Sequence, residues 1–161
     1  MKRITIFLMT LMLLLGLGVS GHATLMDMGD GTIYDTDLQL SWLKDANYAK
    51  TSGFDADGFM TWIDAYTWAN DLVFATFDNW RLPTTLQPDL SCSRQSFISY
   101  GYTCTGSEMG HLFYDELGGT AGLNILTSGD PDLVLFTNVQ PFEYWSGTEL
   151  GYALINRLII V

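Results

Sequence analysis

Six residues in the middle of the chain, Asn79-Trp80-Arg81-Leu82-Pro83-Thr84, limit its fold more than any other stretch. Pro83 has a fixed φ and no amide N–H, and it pushes Leu82 out of the helical region, so no helix runs through this point. Trp80 and Leu82 favour burial, and the guanidinium between them keeps its charge at any accessible pH. An arginine drawn under aromatic residues needs an acid beside it. Asp64 or Asp45 is the expected partner, which makes Arg81 the pin of a tight corner; the competing use is an anion or substrate clamp.

Elements on either side follow from periodicity. Trp62, Ala65, Tyr66, Ala69, Leu72 and Val73 recur at helical spacing and predict a helix over residues 61–73, with Asp57 or Thr61 as cap and Asp64 in its first turn. Before it, Thr32–Asp35 and Leu38–Leu43 read as two strands joined at Thr36-Asp37, with Leu38, Leu40 and Trp42 on the core face. Residues 24–32 look small and polar, and residues 50–58 form a polar loop. After the corner, Met109, Leu112, Phe113 and Leu117 predict the buried face of a second helix, with Ser107 at its start and Gly118-Gly119 at its end. Leu133–Thr137, Glu143–Ser146 and Tyr152–Val161 read as strands.

The first 23 residues have the layout of a secretory signal: Lys2 and Arg3, an apolar run from Ile4 to Leu17, then Gly21-His22-Ala23 before a cut. The run is shorter than the roughly 20 residues of a spanning helix. Its removal leaves five basic residues against 18 acidic ones, 5 − 18 = −13. A surface of that charge repels nucleic acid and other polyanions. No membrane span is expected after cleavage, and the localisation reads as secreted or periplasmic. In such a compartment Cys92 and Cys104 are expected to be a disulfide. They sit in an irregular stretch, residues 85–106, that reads as a stapled insertion.

The order of these motifs resembles the Lcl C-terminal domain family, bacterial extracytoplasmic domains of largely unknown function. The resemblance rests on Ile33-Tyr34-Asp35 with Leu40-Ser41-Trp42-Leu43, Gly58 to Trp62 with Ala65 to Ala69, Asn79 to Thr84, Glu108 to Leu112, and Tyr144 to Thr148. It implies an α+β, C-type-lectin-like fold, with two helices packed on small antiparallel sheets and irregular loops. It implies that Trp42, Trp62, Trp80, Arg81, Leu82, Pro83 and Trp145 are structural signature positions, and it is distantly similar to sulfatase-modifying, formylglycine-generating domains. Two departures stand out: about 22 residues separate the R-L-P-T segment from the helix at Glu108, and only 12 residues follow Glu149, so either the family's last strands are lost, a truncation, or Tyr152–Val161 replaces one of them.

No catalytic constellation emerges. Ser107, His111 and Asp115 share a helical spacing, but a hydrolase triad needs separate elements, an exposed nucleophile and an oxyanion hole. One histidine after cleavage and two oxidised cysteines do not make a closed zinc site. Calcium, a ligand of hard oxygens, is the metal left open, through the acidic loops Asp27/Asp30, Asp55/Asp57 and Asp130/Asp132, although none follows the twelve-residue loop pattern. Asp and Gly also populate turns without any ion. Five tryptophans could form a sugar-stacking platform, but Trp62 lies on the helix stripe and Trp42 on a strand face, which assigns most of them to the core and leaves Trp68 and Trp145 open. Asp130, Asp132, Glu143 and Trp145 are the candidate ligand-binding residues. The expected function is therefore an exported, non-enzymatic recognition or accessory module without a cofactor, directed at a glycan or protein. An enzyme of the sulfatase-modifying type and a truncated, non-functional copy are the alternatives.

Overall fold

A computed structural model describes residues 25–148. The signal-like residues 1–23 and the expected final strand Tyr152–Val161 lie outside the described residues. The fold mixes helices with small antiparallel sheets, as expected for an α+β chain. Strands β1 (Leu25–Asp27), β2 (Thr32–Asp35) and β3 (Leu40–Leu43) form one sheet in that order. Register pairs Ile33 with Trp42 and Asp35 with Leu40. Ile33 is fully buried, and Trp42 packs beside the cluster that it forms with Leu25, Leu112 and Leu117.

Asp35 explains why the hairpin turns where it does. Its Oδ1 accepts the N–H groups of Asp37 and Leu38 at 3.1 and 2.9 Å, and its Oδ2 accepts the Trp42 indole N–H at 3.2 Å. The turn therefore extends through Gln39, which takes a positive φ of 54°, and β3 begins at Leu40 rather than Leu38. β1 lies within residues 24–32, which the sequence shows only as small and polar: only Leu25 of that strand is buried, so it shows no apolar alternation.

A one-turn helix α1 (Tyr48–Thr51) precedes α2 (Trp62–Asp71). Thr61 caps α2, accepting the Asp64 N–H at 3.3 Å while its hydroxyl donates to the Asp64 carboxylate at 2.6 Å. Asp57 instead accepts the Phe59 N–H. Ala65 and Ala69 are the buried residues of the stripe; Val73 lies beyond the helix end and is exposed.

The insertion is not wholly irregular. The two-residue strands β4 (Arg94–Gln95) and β5 (Ser99–Tyr100) pair inside it, and the Cys92–Cys104 disulfide closes its base. Its centre is polar: buried Asp89 accepts from the Ser91 hydroxyl and from the Ser107 hydroxyl at 3.1 Å. Helix α3 (Glu108–His111) follows and continues as a single π turn, Leu112–Glu116, in which the Leu117 N–H reaches the Leu112 carbonyl. Leu112, Phe113 and Leu117 are buried on it, as their spacing predicts. Gly110 is required where it stands, because a Cβ there would run into the Cys104 carbonyl oxygen.

The expected strands at Leu133–Thr137 and Glu143–Ser146 are not formed. Pro131–Leu135 is a 3-10 helix, started by Asp130, whose side chain accepts the Asp132 N–H, with Pro131 in its first turn. A cap followed by proline is a helix start, and it outweighs the β-forming residues after it. Only single bridge residues remain of them, Thr137, which pairs in parallel with Asp45, and Trp145. The later chain is held by side chains: the Trp62 indole donates to the Ser146 carbonyl at 2.7 Å, and the Trp145 indole donates to the Met60 carbonyl at 2.9 Å.

Candidate functional site

The corner at residues 79–84 is a joint between distant segments. Arg81 does not meet Asp64 or Asp45. Its two terminal nitrogens grip both Glu108 oxygens at 2.7 and 2.6 Å, a two-pronged pair of the kind a guanidinium makes best. Glu108 also accepts the Thr84 N–H at 2.7 Å. Proline and arginine thus fix the turn while the glutamate ties it to α3. Burial acts to raise the Glu108 pKa, and the hydrogen bonds from Arg81 and Thr84 outweigh it, so the carboxyl lies below its ordinary value. Half of the Arg81 side chain is exposed, and its guanidinium also donates to the Leu82 carbonyl at 3.1 Å. The joint continues to Gly147, whose N–H donates to the Pro83 carbonyl at 2.8 Å. Trp80 is anchored by its indole on the Phe74 carbonyl.

Ser107, His111 and Asp115 are not a triad. The Ser107 hydroxyl is buried against Asp89, away from the imidazole. His111 has a carboxylate on each nitrogen: Asp115 lies 3.2 Å from Nδ1, and Glu116 lies 2.9 Å from Nε2. Glu116 is buried, and that burial, with the negative charge of Asp35 nearby, raises its pKa despite the contact with His111.

The acidic loops spend their carboxylates on backbone. Asp27 accepts the Gly29 N–H and pairs with Lys44, which lowers its pKa, the Lys44 bond first. Asp55 accepts from Asp57 and Gly58 at 3.0 and 2.7 Å. Gly58, at a φ of +86°, admits no side chain because the Asn47 amide fills the space. Among the described residues, the groups of three potential ligands are Asp35/His111/Glu116 and Asp89/Cys92/Cys104, and neither lies in those loops. The second is spoken for by the disulfide.

The four expected ligand-binding residues divide. Glu143 and Trp145 border a cleft of about 1170 Å³ that runs between the three-stranded sheet, α2 and the 139–145 segment. Asp130 and Asp132 lie at the start of the 3-10 helix and do not line it. The cleft is larger than the roughly 300–1,000 Å³ of common small-molecule pockets. Trp42, Trp68 and Trp80 contribute to its wall. On its rim, Phe59 and Phe142 stand 5.5 Å apart between ring centres and are 62% and 53% exposed. Sequence reasoning passed over both phenylalanines. The available signal was a large apolar residue directly after the Asp55–Gly58 turn, where burial is hard to supply. No protein-family model, no curated protein and no solved structure matches the chain.

Proposed function

We propose that this protein is an exported, non-enzymatic recognition module of the Lcl C-terminal, C-type-lectin-like type, and that it holds a glycan through the aromatic rim of its cleft. One observation carries the reading: Phe59 and Phe142 form a pair that is more than half exposed at the mouth of an aromatic-walled cleft. Solvent-facing aromatic pairs are poor for solubility and suited to stacking on the apolar faces of sugars. The indoles of Trp62 and Trp145 pin the two rim segments to each other, so the platform is preorganised. Export is supported by the disulfide. Among the described residues no helix is long and apolar enough to cross a membrane.

A glycan array with the purified protein, followed by calorimetry on any hit, tests this. Phe59→Ala and Phe142→Ala should each weaken binding by at least about fivefold, the loss expected for truncating an aromatic anchor. Their melting curves should stay unchanged. Binding that survives both substitutions sinks the reading. A surface with no glycan hit that captures a protein partner through the same residues redirects it to protein recognition.

A further inference from the structure

The π turn after α3 makes a contact that an ordinary helix cannot. Residues five apart on an α-helix point about 140° away from each other. Here the wider turn brings His111 and Glu116 side chains to 2.9 Å. Such insertions in helices are frequent at functional sites. Across from them stands Asp35, fully buried at the end of β2. One ligand atom from each of the three residues lies within 4.8 Å of the others.

The charges in this cluster do not balance. Asp35 and Glu116 are buried carboxylates, and among the described residues neither pairs with a lysine or arginine. Both Asp35 oxygens are hydrogen-bonded, but Glu116 Oε2 is buried with no hydrogen-bond partner. A cation satisfies the oxygen and offsets both charges. The fourth group has its own meaning: Asp115 holds the far nitrogen of His111 at 3.2 Å. A metal-ligating imidazole usually has a carboxylate in that position, where it fixes the ring and the tautomer.

We propose that Asp35, His111 and Glu116 form a binding site for a divalent transition-metal ion, with Asp115 as the residue that positions His111. The donor set decides the class. Calcium and magnesium take oxygen ligands, whereas one imidazole nitrogen with two carboxylates suits zinc and its neighbours. The site is independent of the aromatic rim and stands or falls apart from glycan binding. A single histidine is too few for a closed site with four protein ligands; three protein ligands leave a position for solvent.

The test is calorimetric titration of the untagged full chain, stripped with chelator, with zinc chloride and in parallel with calcium chloride. Zinc should bind at one equivalent and raise the melting temperature, and calcium should do neither. Glu116→Gln should abolish the zinc shift while the metal-free variant melts no lower than the parent. His111→Gln provides the same reading if the first variant does not fold. Asp115→Asn should keep the one-to-one stoichiometry and weaken affinity by about 10–100-fold, with Asp115→Glu restoring part of it. Absence of a one-equivalent zinc isotherm overturns the proposal. So does wild-type zinc affinity in a folded Glu116→Gln or His111→Gln protein, which would mark the binding as adventitious surface coordination.

Discussion

Glu108 and Glu116 sit on one helical segment, and the fold treats them in opposite ways. Glu108 receives a guanidinium on both oxygens and a backbone N–H, and its pKa falls. Glu116 is more deeply buried, faces another carboxylate, keeps one oxygen without a partner, and its pKa rises. Burying a carboxylate is unfavourable in both places. At Glu108 the protein supplies the compensation from its own chain, and the result is a joint. At Glu116, among the described residues, no side chain beyond a shared histidine supplies the compensation. A carboxylate that the fold completes reads as architecture, and one that it leaves incomplete reads as a place for something else.

The largest effect is expected near the Glu108 end. The Cys92–Cys104 bond lies behind the Glu108 end of the segment, where Gly110 touches the Cys104 carbonyl. Replacing both cysteines with serine should lower stability by about 3 kcal/mol in the chain-entropy account, measured by urea unfolding. The His111 ring resonances should be unchanged, because the Glu116 end is held by the three-stranded sheet; their loss would show that the two ends are one unit. Arg81→Ala comes next. It removes a charge-assisted bond from a half-exposed partner, and the expected loss is about 2 kcal/mol.

Acid provides a gentler way to open the same joint. The Glu108 carboxyl is lower in the folded protein than its ordinary value of 4.5. The folded state therefore binds that proton less readily, so the stability it contributes is complete above about pH 4.5 and is lost as the pH falls through the lower folded value. Arg81→Ala should flatten that acid limb in melts recorded across pH; an unchanged limb would place the acid sensitivity elsewhere. The smallest effect has the opposite sign. Glu116→Gln in the metal-free protein should raise stability by about 1 kcal/mol by removing an uncompensated buried charge. A clear loss instead would mean that the His111 contact is worth more than the burial it demands.

Local chemistry was legible where neighbours in sequence determine it. Thr36-Asp37 and the alternation after it mark the hairpin, Thr61 marks the start of α2, and the spacing of Leu112, Phe113 and Leu117 marks the buried face of α3. The partner of Arg81 was not legible, since Glu108 lies 27 residues away behind the insertion. The late strands were misread because Asp130-Pro131 starts a helix that Leu133 to Leu135 merely continue. The rim of the cleft was half visible: Trp145 was named, while Phe59 and Phe142 meet only in three dimensions. The histidine cluster was hidden for a different reason. An i, i+5 pair is ignored when every helix is assumed to have the ordinary period, and the Leu112–Glu116 turn does not have it.

The crossed indoles of Trp62 and Trp145 also bear on the order in which the chain assembles. The Trp62 bond closes a loop of 84 residues and the Trp145 bond one of 85, and the segment they hold has no ladder of its own among the described residues beyond single bridges. Contacts of such long range repay their loop-closure entropy only after the intervening chain is in place. The sheet and α2 are therefore expected to form before residues 137–148 dock, so that the aromatic rim is completed late among the described residues. A nascent or partly opened molecule carries the platform as two separated halves, with Phe59 on one and Phe142 on the other.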